Sequence, residues 1–150
     1  MKVLFFLALI FGLSVAYLQF NPSYKLSIEA KYFYTMGEYD MAYRLADQSL
    51  KLSEYNTMAF YVKTRSKLTL EVINFNKEAQ EFEDRIRNIL KKGSISRYNK
   101  LRSKMMSDII ISKYIHLSLP MVEDEEVKNL ALKNVKKFKK INSQVKIILK

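Results

Sequence analysis

The sequence predicts an all-α protein, with an N-terminal transmembrane or signal helix, a helical hairpin and an antiparallel bundle that contains one long helix. Three observations support this fold class. Only 3 Gly and 2 Pro occur in 150 residues, too few for the tight turns of a β-sandwich. Apolar residues recur every three or four positions in the predicted helices. A hydrophobic content of 49% is sufficient for a folded core.

The N-terminal segment is the first predicted element. Residues 3–20 contain no charged side chain and follow Lys2. At 1.5 Å per residue they form about 27 Å of helix, close to the roughly 30 Å of a bilayer core. The segment therefore predicts a membrane anchor over 1–20. The alternative is a signal peptide, with Ser14 and Ala16 as the small residues of its cleavage site.

Both interpretations predict the same orientation. The basic N-terminal end stays in the cytoplasm, so residues 21–150 are expected to be exported to the periplasmic side. An anchor keeps them at the membrane, whereas cleavage makes the protein secreted or periplasmic. A third arrangement, an anchored chain that faces the cytoplasm, would bring the lysine-rich C-terminal region to anionic lipid or nucleic acid.

Residues 21–56 form the predicted hairpin. Asn21 and Pro22 are a helix start signal, and Gly37 suits a short turn before a second helix. Small and apolar residues follow in a regular pattern: Ala30, Gly37, Tyr39, Ala42, Ala46, Ser49, Leu50, Leu52 and Ala59. With these residues, region 23–56 resembles one tetratricopeptide repeat, a helix–turn–helix unit of about 34 residues.

The sequence departs from that family at several positions. Glu54 stands where the family usually has Pro, Glu29 where it has an apolar residue, and Ala46 where it has an aromatic one. No clear second repeat follows. Because a single repeat cannot bury its apolar face alone, the hairpin is expected to pack on other helices.

The resemblance implies contact with other proteins through a concave groove. In the family geometry the first helix lines this groove. The corresponding residues here are Tyr24, Ser27, Lys31, Tyr34 and Thr35. Alternatively, the two tyrosines pack on the membrane-proximal side or on the later helices.

Residues 57–92 predict one long helix with a heptad seam. Its apolar residues are spaced alternately four and three apart: Leu68, Val72, Phe75, Ala79, Phe82, Ile86 and Ile89. The seam packs within the chain in one interpretation. In the other it forms a homodimer through Leu68–Ile89.

Two further helices are predicted over 96–119 and 123–150. Gly93 and Ser94 end the long helix, and Ser96 caps the next one. The inner face predicted for that helix consists of Tyr98, Leu101, Met105, Ile109 and Ser112, with Met106, Ile110 and Ile111 beside it. In the last helix, acidic residues 123–126 occupy the first turn and lysines the later turns, as the helix dipole favours.

The basic charge lies in the C-terminal part of the chain. Of the net charge of +11, residues 91–150 carry +10. The densest cluster consists of Lys133, Lys136, Lys137, Lys139 and Lys140. It predicts a face for anionic lipid or an acidic protein. A solvated lysine face that reflects composition alone is the alternative, and nucleic-acid binding is disfavoured because export removes the chain from that partner.

Catalytic and metal-binding residues are scarce. The chain has no Cys and one His, His116, which excludes thiol catalysis and ordinary zinc sites. The three Gly are too far apart for a phosphate-binding loop. We therefore expect no enzyme, no cofactor and no metal. An enzyme would need a concave pocket with at least two titratable groups.

Together these features predict a non-catalytic, membrane-anchored scaffold or assembly factor in a bacterial envelope complex. Its partners would be other proteins of that complex and the membrane itself. A secreted or periplasmic helical binding protein is the alternative that follows if the N-terminal segment is cleaved.

Overall fold

The structure, a computed structural model, describes residues 2–91 and 96–149, and the side chains of all of these except 2, 13–20, 90 and 146–149. Within these ranges the chain is helical and contains no β-strand, which confirms the all-α prediction. The helices are α1 Lys2–Phe20, α2 Pro22–Thr35, α3 Tyr39–Leu52, α4 Thr57–Leu90, α5 Arg97–Ile115 and α6 Glu125–Leu149. The helix end predicted at Gly93 and Ser94 lies outside the described residues.

Helix α1 exposes its apolar side chains. Every described side chain of this helix, at residues 3–12, is exposed. The large apolar ones are Val3, Leu4, Phe5, Phe6, Leu7, Leu9, Ile10 and Phe11. Across the described part of the chain, no helix combines the length and apolarity needed to cross a membrane. Ser14 and Ala16 belong to α1, but their side chains lie outside the described ones.

The chain divides into two compact units, Met1–Lys67 (unit 1) and Leu68–Lys150 (unit 2). The sequence predicts a single helical domain over 21–150 instead. The division falls inside α4, because the two halves of this helix contribute to separate cores. Val62 belongs to the core of unit 1, whereas Val72 belongs to the core of unit 2.

The hairpin of unit 1 has the ends that the sequence predicts. Asn21 caps α2: its side chain accepts hydrogen bonds from the backbone N–H groups of Ser23 and Tyr24 at 3.0 and 3.4 Å. After α2, Gly37 has a φ of +80°, a conformation that favours glycine. The N–H of Glu38 then bonds to the carbonyl of Phe33 at 2.9 Å, which closes the helix end.

Small residues let α2 and α3 approach closely. Ala30 on α2 and Ala42 and Ala46 on α3 are fully buried, as is Val62 on α4. Phe33, Tyr34 and Leu45 pack around this cluster. The core of unit 1 therefore contains few large side chains.

Unit 2 buries the heptad seam inside its own core. Val72, Phe75, Ala79 and Ile86 of α4 are buried, and Leu68, Phe82 and Ile89 pack against the same cluster. Residues of the later helices complete it: Met106, Ile110, Val122, Ala131 and Phe138. The intramolecular interpretation of the seam is thus the one that this fold uses. A homodimer through Leu68–Ile89 would have to open this core.

Helix α5 packs through the residues predicted beside its apolar face, Met106, Ile110 and Ile111, rather than through the predicted face itself. Tyr98, Leu101, Met105 and Ile109 are exposed, and the buried positions are Ser103, Met106, Ser107 and Ile110. The two serines are buried without cost to hydrogen bonding, because their hydroxyls donate to Asn99 and Ser103 carbonyls of the same helix at 2.9 Å. Their small size suits close packing against α6.

Two helix boundaries differ from the prediction. Helix α5 ends at Ile115 rather than 119, because the N–H groups of His116 and Leu117 bond to carbonyls three residues earlier, at 3.1 and 3.2 Å, instead of four. A short 3-10 turn, Leu119–Met121, follows. Helix α6 begins at Glu125 rather than 123, since Asp124 caps it by accepting from the N–H of Val127 at 3.0 Å. The Ser96 cap is confirmed by its bond from the N–H of Asn99 at 3.2 Å.

Candidate functional site

The predicted groove residues do not share one environment. Lys31 and Thr35 are exposed, Tyr24 and Tyr34 are half-buried, and Ser27 is fully buried. The Tyr34 ring packs edge-on against Tyr39, with ring centroids 5.4 Å apart. The half-buried tyrosines therefore resemble packing residues more than the lining of an open groove.

Ser27 belongs to a buried polar cluster that also contains Ser23, Ser49 and Asn56 (the serine–asparagine cluster). The hydroxyl of Ser49 donates to the Ser23 carbonyl at 2.7 Å, and that of Ser23 lies 3.0 Å from the Ser49 carbonyl. The Asn56 amide nitrogen donates to Ser23, Ser27 and Ser49 hydroxyls at 2.9, 3.2 and 3.2 Å. Its oxygen accepts from the Ala59 N–H at 3.1 Å, which caps α4.

This cluster ties three segments together. Its four side chains come from α2, α3 and the residue before α4. Because they are nearly inaccessible to solvent and bonded to one another, the arrangement is structural and offers no ligand position. The family resemblance implies a groove surface for Ser27, and the sequence pattern gives Asn56 no such role. The position of Asn56 immediately before a helix is the signal that could have revealed its capping role.

An apolar stripe on α2 lies beside the predicted groove positions. Ile28, Tyr32 and Met36 expose 51%, 59% and 62% of their surface. Their spacing of four residues places them along one side of the helix. The four-residue spacing of these apolar side chains is the sequence signal that could have identified them. We refer to these three residues as the α2 stripe.

The lysine cluster lies on the outer face of α6. Lys133, Lys136, Lys139 and Lys140 are exposed and make no ion pair with any described residue. The opposite face of α6 is buried in unit 2 through Ala131, Val135 and Phe138. We call these four exposed lysines the α6 lysine face.

Lys137 differs from the other four lysines because it forms an ion pair within unit 2. Its amino group pairs with Glu83 at 2.8 Å. This hydrogen bond, together with one from Arg87, lowers the pKa of Glu83 below its ordinary value. Of the five predicted lysines, four therefore share one unpaired face, while the fifth stabilises the contact between α4 and α6.

A polar cleft of about 290 Å³ lies beside that ion pair. Asn76 and Asn134 form its floor and are almost fully buried. Asn76 donates to the Val127 carbonyl at 3.1 Å and accepts from Asn134 at 3.0 Å. Glu83 and Lys137 line the same cleft, and their charges compensate each other.

The single histidine lines a second cavity, of about 370 Å³. Glu71, Glu78, Lys113 and His116 contribute its titratable groups, and Phe75 and Leu117 its apolar surface. The Lys113 amino group donates to both oxygens of Glu78 at 2.8 and 2.6 Å, so this pair is satisfied internally. Among the described residues, no cluster of three or more His, Cys, Asp or Glu is arranged to hold a metal ion.

Compared with known protein families, with curated proteins and with solved structures, the chain gives no match.

Proposed function

We propose that this chain is a non-catalytic scaffold or assembly factor of a bacterial envelope, which α1 holds at a membrane while the two units contact other proteins. The observation that carries this proposal is the exposure of the side chains at residues 3–12 of α1. They are apolar around the whole helix, and such a helix is stable only in apolar surroundings. A lipid bilayer supplies those surroundings.

The sequence of residues 3–20 supports an anchor, although no helix in the described part of the chain is long and apolar enough to cross a membrane. Residues 3–12 cover about 15 Å of helix axis, and continuation to Phe20 brings the apolar length to about 27 Å. The basic Lys2 precedes this segment, which favours export of the following residues. Cleavage at Ser14 and Ala16 is the alternative and would make the chain a secreted or periplasmic binding protein. Alkaline phosphatase fused after Lys150 tests the orientation, since it is active only when exported.

Unit 1 is the proposed site of protein contact. Its hairpin, α2 and α3, covers the region whose sequence resembles a tetratricopeptide repeat, and that resemblance implies such contact. The α2 stripe offers Tyr32 and Met36 to a partner, with Lys31 and Thr35 beside them. Clustered exposed apolar side chains of this kind are typical of interaction surfaces.

Photo-crosslinking in native membranes tests the contact surface. A photoreactive phenylalanine at Tyr32 should give discrete adducts, whereas the same group at the exposed residue Glu54 should give none. The variants Ile28→Lys and Met36→Lys should abolish the adduct at Tyr32. An adduct pattern that is identical at Tyr32 and Glu54, or that survives both lysine substitutions, would contradict the proposal.

A second candidate function is attraction of an anionic partner by the α6 lysine face. Since the apolar face of α6 is already buried in unit 2, this contact is electrostatic and does not insert side chains. It should weaken strongly between low and physiological salt. Substitution of Lys133, Lys136 and Lys140 by Gln should remove that salt dependence. Binding to anionic vesicles rather than to DNA distinguishes the lipid from the nucleic-acid alternative.

A further inference from the structure

Helix α5 presents an unpartnered apolar stripe to solvent. Tyr98, Leu101, Met105 and Ile109 expose 70%, 50%, 57% and 42% of their surface. Their spacing of three and four residues aligns them along about three turns on one side of the helix. We call them the α5 stripe. The opposite side of α5 packs into unit 2 through Met106 and other residues, so the stripe faces away from the core.

Cations flank the α5 stripe along both edges. Helical geometry puts Arg97, Lys104 and Asp108 on one edge, and Arg102 and Lys113 on the other. Lys104 pairs with Asp108 and Lys113 with Glu78. Arg97 and Arg102 are exposed and make no ion pair with any residue that the structure describes. A partner that covers the stripe must therefore combine an apolar interior with an anionic rim.

We infer that the α5 stripe lies in the surface of an anionic lipid bilayer, with its side chains at the boundary of headgroups and acyl chains. This inference rests on the proposed function, because α1 brings the chain to the membrane. Binding to an anionic membrane surface scales with the apolar area buried and with electrostatic attraction, and the α5 stripe with its flanking arginines offers both. Tyr98 fits this location, since tyrosine favours the interface.

A second copy of the chain fits the α5 stripe less well than an anionic lipid surface does. Helix α5 carries five basic residues and one acidic residue, so its net charge is +4. Two such helices packed stripe to stripe would bring like charges together on both edges, which destabilises the contact. Anionic headgroups neutralise the same cations. Charge complementarity thus selects the lipid surface.

Fluorescence from single cysteines tests the inference on the full chain. The protein has no Cys, so each substitution introduces one labelling site. An environment-sensitive probe on Met105→Cys reports the α5 stripe, one on Leu7→Cys reports α1, and one on Glu81→Cys is the control on an exposed, charged part of α4. Each protein is incorporated into vesicles of phosphatidylcholine with or without phosphatidylglycerol, with brominated lipid as quencher.

The probe at Met105 should be quenched at least threefold more in vesicles with phosphatidylglycerol than in phosphatidylcholine alone. The probe at Leu7 should be quenched in both, and that at Glu81 in neither. Quenching at Leu7 with a water-exposed probe at Met105 overturns the inference and leaves the proposed function standing. Water-exposed probes at both positions contradict both proposals.

Two further outcomes test what covers the α5 stripe. Equal quenching at Met105 in both lipid mixtures contradicts the role of anionic headgroups. In detergent micelles, the probe at Met105 could become more buried as the protein concentration rises. That result would indicate a second copy on the α5 stripe and would overturn the inference. The double variant Arg97→Gln, Arg102→Gln should remove most of the dependence on phosphatidylglycerol. The matched Arg85→Gln variant, changed at an exposed Arg of α4, should retain it.

Discussion

The two units of this chain bury different kinds of core. Unit 1 closes around alanines and around the serine–asparagine cluster, so its helices meet through small side chains and hydrogen bonds. Unit 2 closes around large apolar side chains, among them Phe75, Ile110 and Phe138. Unit 1 should therefore be sensitive to added volume and to loss of polar partners. Unit 2 should be sensitive to removal of volume.

The largest effect is expected from a cavity in unit 2. Phe138 is fully buried on α6, and Phe138→Ala should lower the free energy of unfolding of unit 2 by about 3–5 kcal/mol. Hydrogen-exchange mass spectrometry should show faster exchange in α6 and α5 while α2 and α3 stay protected. Leu132→Ala, at an exposed position of the same helix, is the control and should change little. Equal loss of protection in both units would show that the cores are not separate.

The next effect is a polar deletion in unit 1. Asn56→Ala removes the cap of α4 and the amide that donates to three buried serines. We expect a loss of about 2–3 kcal/mol, roughly one from the cap and the rest from buried hydrogen bonds. Exchange should accelerate in α2 and α3 and not in α6. Glu54→Ala, two residues away and exposed, should leave the exchange rates unchanged.

Added volume tests the same unit from the opposite direction. Ala46 is fully buried on α3 within the alanine cluster. Ala46→Leu should destabilise unit 1 by about 1–3 kcal/mol, because the neighbouring helices must move apart. Chemical denaturation that follows the signal of unit 1 measures this change. Ala46→Ser, of similar volume, is the matched control and should cost less. A neutral result for leucine would mean that the two helices are not closely packed.

The smallest effect concerns Asp47, a half-buried carboxylate of unit 1. Hydrogen bonds from Lys51 and then Lys63, at 2.8 and 2.6 Å, lower the pKa of Asp47 from its ordinary 3.8 to about 2. Because the folded state holds the proton less tightly than the unfolded chain, this stabilisation is present above pH 3.8 and is lost as the pH falls to about 2.

Asp47→Asn should therefore flatten the pH dependence of the stability of unit 1 in that window, by a small amount since solvent still reaches and screens the charges. Thermal unfolding from pH 5 to pH 2 measures it. Asp40→Asn, which removes an exposed pair with Arg44 on the same helix, is the comparison variant. A pH profile that is the same for the Asp47 variant and the unchanged protein would contradict the assignment.

The helices of the two units also show which features were predictable from sequence. Local signals were sufficient for helix starts at Asn21 and Ser96 and for the turn at Gly37, because each depends on neighbouring residues only. The heptad seam was predictable because its apolar residues lie on a single face of α4. In α5 apolar residues occupy two faces, so periodicity cannot select the inner one. The inner face is the one that carries Ser103 and Ser107, because these small side chains suit close packing against α6.

The candidate surfaces were less predictable than the helices. Ser27 was predicted on a groove because the first helix of the tetratricopeptide repeat, which this region resembles, lines one. Its burial depends on Asn56, which is distant in sequence and supplies the hydrogen bond. Four lysines of the predicted cluster do form one exposed face, since every third or fourth residue of a helix points the same way. Lys137 is different because its partner, Glu83, comes from another helix.

The proposed function requires that the intact chain remain in the membrane through α1. The most direct test is the intact mass of the protein in native membranes after alkaline extraction. We expect the full-length mass in the membrane pellet, because an apolar helix embedded in lipid resists extraction. A shortened chain that begins at Tyr17 and appears in the soluble fraction would contradict the claim.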